Sequence, residues 1–304
     1  MKMKPVEIKN ETKYWLIRPG VESKFFEDFY NDGCVAIGWD KIGKIDEGGQ
    51  LFSLENLKKL VEEKYKDILP DKEKDANRKI GDIASKIYKF TYKVQNGDII
   101  ITPGEDDVLI GRIEGDVEIE NGKYVATTDD SDENDIGSLN KIRRVTWIKK
   151  INKNKLEPNI RLELRVVHAI SEISNAQVVT EINRTLFDCF TYKNEGHSIY
   201  KIKNIEGMDF ERYAKFISCI YSIYSSIKTD SSKLYIKANF NSPGPVELIG
   251  DTPLVKTISQ IMFLAFKDTD TSDYGDNHEI VKAIKESNMG ENYDDIDFPS
   301  WGCV

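Results

Sequence analysis

The sequence has few cysteines, and their spacing forms no recognisable framework. The four cysteines are scattered along the chain: Cys34, Cys189, Cys219 and Cys303. No Cys-x-x-Cys pair and no cluster of His and Cys occurs, which argues against the usual zinc motifs. A few unpatterned cysteines are typical of a protein in the reducing cytoplasm. We therefore expect a cytoplasmic protein with no metal and no cofactor.

Long apolar runs are also missing. The sequence has no stretch of about 18 apolar residues, the length at which a transmembrane helix becomes a candidate. Residues 1–13 are polar and charged, and they have no apolar core of the kind found in a signal peptide. We therefore expect no membrane-spanning segment and no membrane partner.

Positive charge is not in excess. The 304 residues carry a formal net charge of −9, and 31% of them are charged. This composition argues against a protein that attracts phosphate over its whole surface, but it leaves a local basic face open. The length is typical of two domains.

The first half opens with two apolar strands on either side of a helix. Residues 14–20 (YWLIRPG) predict a strand that stops at Pro-Gly, and residues 35–40 (VAIGWD) predict a second strand. Between them, phenylalanines recur at helical spacing over residues 22–32. Trp15 lies within the first strand, whereas Trp39 ends the second, where it can either fill a core or wall a pocket.

Further elements complete a predicted α+β fold. Helices are predicted over residues 53–68 and 80–92, and strands over residues 99–102, 108–113, 115–119, 123–127 and 142–151. Ser53 is predicted to cap its helix, Gly33 to end the helix at 22–32, and the strands at 99–102 and 108–113 to form a hairpin. An acidic loop covers residues 129–135. We expect a small mixed or antiparallel barrel with helices packed over it.

The last hundred residues predict a smaller α+β unit. Residues 162–190 are predicted to be helical with a start near Ser174, and residues 204–207 are predicted to be a linker. Helices are predicted over residues 209–227, 252–266 and 278–287, and strands over residues 234–240 and 246–249. We therefore place the domains at residues 1–203 and 204–304. The second has no catalytic constellation, so we expect it to serve as a homodimer contact or to bind an effector protein.

Six segments carry a resemblance to a known family. They are YWLIRPG at 14–20, VAIGWD at 35–40, IGDIASKIYKF at 80–90, NGDIIITP at 96–103, IGRIEGD at 110–116 and RRVTW at 143–147. In this order they resemble the EVE-like branch of the PUA/YTH superfamily, whose members read modified bases, as in restriction and phage-defence proteins. The chain departs from that family in its acidic loop, and it has Lys141-Ile142 where the family frequently has His before the basic pair.

The resemblance implies a PUA-like pseudo-β-barrel whose aromatic pocket accepts a base flipped out of modified DNA, with RNA as the other candidate. An extruded base needs aromatic faces and hydrogen bonds to its edge. The residues in the matching segments, or beside them, that would form such a site fall into three groups. They are the aromatic side chains Tyr14, Trp15, Trp39 and Phe90; the polar side chains Asp40, Asn77 and Ser85; and the basic side chains Arg18, Lys86, Lys89 and Arg144.

Two other functions stay open. One is a nuclease or base-processing enzyme with its active site in the C-terminal domain, for which Glu247 and Asp251 are the first candidates. No catalytic residue can be assigned, because the chain has no Gly-x-Ser-x-Gly, no His-Glu-x-x-His and no phosphate-binding glycine loop. The other is a nucleotide-signal sensor that uses the same pocket.

Overall fold

The computed structural model describes residues 5–43, 46–47, 50–125, 138–202, 210–238, 245–266, 277–287 and 296–299. The predicted acidic loop at 129–135 and the predicted linker at 204–207 lie outside these residues. No helix within the described ranges is long and apolar enough to cross a membrane.

The described strands and helices alternate irregularly along the chain. The strands are β1 (Val6–Glu7), β2 (Tyr14–Ile17), β3 (Cys34–Ile37), β4 (Asp46–Glu47), β5 (Gln50–Leu51), β6 (Ile99–Pro103), β7 (Asp107–Tyr124), β8 (Leu139–Asn152), β9 (Ile170–Glu172), β10 (Cys189–Tyr192), β11 (Glu195–Ile202), β12 (Leu234–Ala238), β13 (Val246–Asp251) and β14 (Ile296–Asp297). The α-helices are α1 (Phe26–Asp32), α2 (Leu54–Lys64), α3 (Glu73–Tyr88), α4 (Pro158–Glu163), α5 (Ala176–Leu186), α6 (Phe210–Ile227), α7 (Thr252–Phe266) and α8 (His278–Ser287). The predicted α+β class is confirmed.

The chain forms two compact units. The N-terminal unit is Thr12–Ile182, and the C-terminal unit combines Met1–Glu11 with Asn183–Val304. This division differs from the boundary after residue 203 that we drew from the sequence. The reason is that β11 pairs antiparallel with β13, with Ile199 opposite Glu247, and so belongs to the C-terminal sheet. A polar stretch can suggest a linker, but it does not reveal which distant strand completes a sheet.

The N-terminal sheet has the strand order β3-β8-β7-β6-β2-β9. Only the pair of β2 with β6 is parallel, and Trp15 of β2 lies opposite Ile100 of β6. In the described residues β3 and β9 stand at the two ends of this order, and no pairing between them closes a barrel. The predicted hairpin is confirmed, since β6 and β7 pair antiparallel.

Local signals explain where the first helices begin and end. Gly33 adopts a left-handed conformation (φ 61°) after α1, as expected for a glycine that ends a helix. The Ser53 side chain accepts a hydrogen bond of 3.1 Å from the Asn56 backbone N–H, which confirms it as the cap of α2. Phe25, Phe26 and Phe29 are all buried.

The C-terminal sheet has the order β1-β10-β11-β13-β12, and β14 also pairs with β11. The prediction of one helix through residue 190 was wrong, because Cys189 and Phe190 lie in β10. Lys193 and Asn194, which connect β10 to β11, both have positive φ angles (50° and 67°), as in the tightest hairpin turns. Lys-Asn is a weak turn signal compared with Asn-Gly, so the sequence did not reveal this hairpin.

A buried carboxylate joins the first strand of the N-terminal sheet to the turn before β6. Asp98 is 3% exposed, and its oxygens accept hydrogen bonds from the Trp15 indole N–H at 2.8 Å and from the backbone N–H groups of Lys13 at 3.0 Å and Gln95 at 2.8 Å. Trp15 is fully buried. The indole is therefore a core group that fixes β2 against β6.

We predict that Asp98→Ala lowers the free energy of unfolding by about 3 kcal/mol, because it leaves several donors without their acceptor. Urea unfolding followed by circular dichroism measures this change. Asp71→Ala removes an exposed carboxylate and is the matched control, for which we expect little change. Equal stabilities of the two variants would contradict the structural role of Asp98.

Candidate binding pocket

The N-terminal unit contains a pocket of about 710 Å³, within the range of roughly 300–1,000 Å³ that small-molecule sites occupy. Four parts of the chain contribute most of it: the segment after β2, the end of β3 with the residues that follow, one face of α3 and the segment before β9. Ile68 and Leu139 complete the lining. The lining residues include Arg18, Gly20, Val21, Glu22, Gly38, Trp39, Lys79, Asp82, Lys86, Val167, His168 and Ala169. Both apolar and charged side chains therefore face the same space.

Trp39 forms part of the wall in an unusual backbone conformation. Its φ angle is 67°, which is rare for a bulky residue because the side chain crowds the backbone. The side chain is 4% exposed, so most of the indole is packed and a small part reaches the pocket. Strained residues of this kind are found disproportionately at ligand sites.

A second strained turn forms another side of the pocket. Glu22 and Ser23 have φ angles of 50° and 62°. Gly20 (φ 82°) precedes them, and a Cβ atom at this position would lie 2.8 Å from the Phe25 ring. The Ser23 hydroxyl donates to the Pro103 carbonyl at 3.0 Å. The turn is thus fixed by local packing and by one bond to β6.

A buried ammonium group supports the Trp39 turn, which we define as residues 38–40. Lys141 is fully buried. Its Nζ donates to the carbonyl oxygens of Trp39 at 2.9 Å and Gly38 at 3.4 Å and to Asn140 Oδ1 at 3.0 Å. Burial lowers the pKa of Lys141 from 10.5 to about 7, and attraction to Asp40 opposes this change. The three acceptors are neutral, so the ammonium is stabilised by hydrogen bonds and not by a direct ion pair.

Asp40 also holds this turn. Its Oδ2 accepts hydrogen bonds from the Ser138 backbone N–H at 3.0 Å and from the Ser138 hydroxyl at 2.9 Å. We expected Asp40 to read the edge of a base. The structure instead engages its carboxylate with the residue before β8, and Asp40 is not among the lining residues.

Lys86 and Asp82 lie one turn apart on α3 and form an ion pair. The Lys86 ammonium is 5.6 Å from the centroid of the Trp39 ring, in a cation–π arrangement. Both charged groups line the pocket. A hydrogen-bond donor and an acceptor therefore stand side by side next to the aromatic wall.

Arg18 anchors the segment on the opposite side. Its Nε donates to the Val166 carbonyl at 2.8 Å, and its Nη2 donates to the Leu164 carbonyl at 2.7 Å. Partial burial lowers the pKa of the guanidinium. Because these donors are used on backbone oxygens, Arg18 is a positioning residue, and its guanidinium is only partly available to a phosphate.

Of the residues proposed from the sequence, the structure brings Arg18, Trp39 and Lys86 together at the pocket. The others lie elsewhere. Tyr14, Trp15 and Phe90 are enclosed in the core. Asn77, Ser85 and Lys89 belong to α3 or the turn after it and do not line the pocket. Arg144 forms ion pairs with Glu118 and Glu120. Tyr14 and Trp15 are consecutive and point to opposite faces of the sheet, but every residue of β2 is buried. The strand is therefore covered on both faces, which its short sequence pattern does not reveal.

Asp82, Val167 and His168 line the pocket but were not predicted from the sequence. The i, i+4 spacing of Asp82 and Lys86 on a helix is a signal that could have found the acidic partner. No local pattern marks Val167 or His168, which reach the pocket because β9 pairs with β2.

The C-terminal carboxylates proposed for an enzyme are engaged in the fold. Glu247 is buried, with Oε1 2.9 Å from His197 Nδ1 and Oε2 3.4 Å from Arg184 Nε. Asp251 Oδ2 accepts the Lys233 backbone N–H at 3.0 Å. These contacts account for both residues structurally. No group of three or more His, Cys, Asp or Glu in the described part of the chain is arranged to hold a metal ion.

The N-terminal unit is therefore an α+β domain that carries a tryptophan-walled pocket. A family model described as a domain of unknown function (DUF8426) matches residues 15–171, which is more than half of the 304 residues, and the chain belongs to this family. The matched region contains every residue that lines the pocket. A search of curated proteins finds no match.

We predict that the stability of the protein depends on Lys141 between pH 7 and pH 10.5. In this range the unfolded chain keeps the proton that the folded chain releases, because folding lowers the pKa from 10.5 to about 7. The free energy of unfolding therefore rises with pH, by about 2 kcal/mol from pH 7 to pH 9 for this group.

Urea unfolding of the wild type and of Lys141→Met at both pH values isolates this contribution. As the pH rises from 7 to 9, the free energy of unfolding of the wild type should increase by about 2 kcal/mol relative to that of the variant. Lys72→Met, which changes an exposed lysine, should follow the wild type. Parallel pH profiles of the wild type and Lys141→Met would contradict the lowered pKa.

Proposed function

We propose that the N-terminal unit binds nucleic acid, and DNA first of all, by accepting a modified base that has been extruded from the duplex. The observation that carries this proposal is the strained Trp39 wall with the Asp82–Lys86 pair beside it. A base that leaves the stack must regain stacking and edge hydrogen bonds from the protein. The pocket offers an aromatic group, a donor and an acceptor in one place.

The order of events follows from the position of Lys86. Its ammonium lies near the Trp39 ring, where it would compete with an entering base for the aromatic surface. A base that approaches the indole therefore displaces the Lys86 ammonium toward the edge of that base. There the ammonium donates to a ring nitrogen or carbonyl, and the carboxylate of Asp82 accepts from an exocyclic amine.

The resemblance to the EVE-like branch of the PUA/YTH superfamily supports the same function. We propose that the six-stranded N-terminal sheet and its helices are a PUA-like pseudo-barrel, although the described strands form an open order. On this proposal the chain works in the cytoplasm, in restriction or phage defence. The C-terminal unit would form a homodimer or bind an effector.

Equilibrium binding to matched duplexes tests the proposal. The duplexes are unmodified or carry modified cytosines or adenines, and the salt concentration is fixed because phosphate contacts depend strongly on it. We expect a preference for one modified duplex. Trp39→Leu should weaken that binding roughly 5- to 150-fold, because stacking on an aromatic side chain contributes about 1–3 kcal/mol per base.

Trp147→Leu is the matched control. Trp147 is a half-buried tryptophan of β8, its indole donates to the Phe29 carbonyl at 2.9 Å, and it does not line the pocket. Circular dichroism and thermal unfolding verify that both variants are folded. Equal weak binding to all duplexes that disappears with added salt would overturn the proposal. Binding of free nucleotides without affinity for any duplex would favour the nucleotide sensor instead.

A further inference from the structure

An apolar side chain stands uncovered at the edge of the pocket. Val167 lines the pocket and yet is 83% exposed. Single exposed apolar residues are common on protein surfaces and need no explanation by themselves. Val167 differs in being placed at the opening of a ligand-sized cavity, on residues 164–169, which we call the rim segment.

The rim segment is held on both sides of Val167. Arg18 binds the carbonyl oxygens of Leu164 and Val166 through its side chain, and its backbone N–H donates to the Ala169 carbonyl at 2.9 Å. The next residue, Ile170, pairs with Ile17 of β2. An exposed side chain on a backbone that is already ordered loses little further freedom when it becomes buried in a partner.

Two side chains with N–H donors flank this apolar side chain. Arg165 and His168 are exposed on the same segment, and their side chains have no hydrogen bond or ion pair with any described residue. Across the pocket, Val21 is 44% exposed and follows the strained glycine turn. The edge of the pocket thus combines apolar groups with N–H donors that are available to phosphate, and the exposed Glu22 is the acidic side chain beside Val21.

We propose that Val167 enters the base stack of double-stranded DNA and occupies the space that the extruded base leaves. This inference rests on the proposed function, because it requires a base to move into the pocket. Apolar side chains inserted between base pairs are an established way to hold a duplex in an unstacked form. Arg165 and His168 contact the phosphates that flank the gap, and Arg18 is the positioning residue that orients the wedge.

The proposal distinguishes between duplex and single strand. A single strand has no gap to fill, so Val167 contributes to duplex binding and not to binding of the same modified base in a single strand. The residues in the pocket contribute to both. A variant that lowers the affinity for the duplex but not for the single strand therefore identifies the Val167 wedge, and a variant that lowers both affinities identifies the pocket.

The experiment measures equilibrium binding of the full chain to a modified duplex and to the modified strand alone, at one salt concentration. We expect Val167→Ala to weaken duplex binding about tenfold and to change single-strand binding less than about twofold. Val125→Ala is the matched control, since Val125 is also exposed (56%) in the N-terminal unit but does not line the pocket. It should alter neither affinity.

A second measurement follows the stack directly. 2-Aminopurine placed next to the modified base becomes fluorescent when the stack opens, and Val167→Ala should reduce the increase at saturating protein. Equal affinities of Val167→Ala and wild type for the duplex would overturn the wedge and leave the pocket proposal standing. Wild-type binding to the single strand with no affinity for the duplex would overturn the wedge and the extrusion of a base from a duplex together, and would leave only a pocket for an unpaired base. No binding of the wild type to either form would overturn both proposals.

Discussion

The buried amino group of Lys141 is the constraint on which the pocket depends. Lys141 lies beneath the Trp39 turn and donates to the carbonyls of Gly38 and Trp39, so the left-handed backbone of Trp39 is held from below. Complete burial of a lysine is rare, and here it lowers the pKa to about 7. The desolvation of Lys141 is unfavourable, and it occurs at the turn whose strained backbone places Trp39 in the pocket wall. Asp40 holds the same turn from the side through Ser138.

The same use of charge recurs around the pocket and in the sheet. Arg18 fixes the rim segment through carbonyl oxygens, and the carboxylate of Asp98 fixes Trp15 and two backbone N–H groups. These charged groups satisfy backbone and indole groups that would otherwise be buried without partners. A ligand therefore meets a smaller set of charges than the sequence offers, chiefly those of Glu22, Asp82 and Lys86, beside the imidazole of His168.

This distinction explains how far the sequence could predict the structure. The Ser53 cap, the glycine after α1 and the β6–β7 hairpin depend on neighbouring residues, and all three were predicted correctly. Trp39 and Lys86 were placed at the pocket by their segments, but Asp40 was assigned to the ligand when its partner is Ser138, about a hundred residues away. Val167 entered the site through the pairing of β9 with β2. Contacts between residues far apart in the sequence decide whether a side chain faces the pocket or the fold, and a local sequence pattern does not predict them.

The buried lysine also bears on the choice between a reader and an enzyme. A lysine with a lowered pKa near a pocket is a common sign of a general base or a nucleophile. A catalytic lysine, however, must reach the substrate within hydrogen-bond distance. Lys141 is fully enclosed, does not line the pocket and directs its Nζ to three oxygen acceptors of the protein. Its lowered pKa is thus the consequence of its burial beneath the Trp39 turn and is not by itself a sign of catalysis.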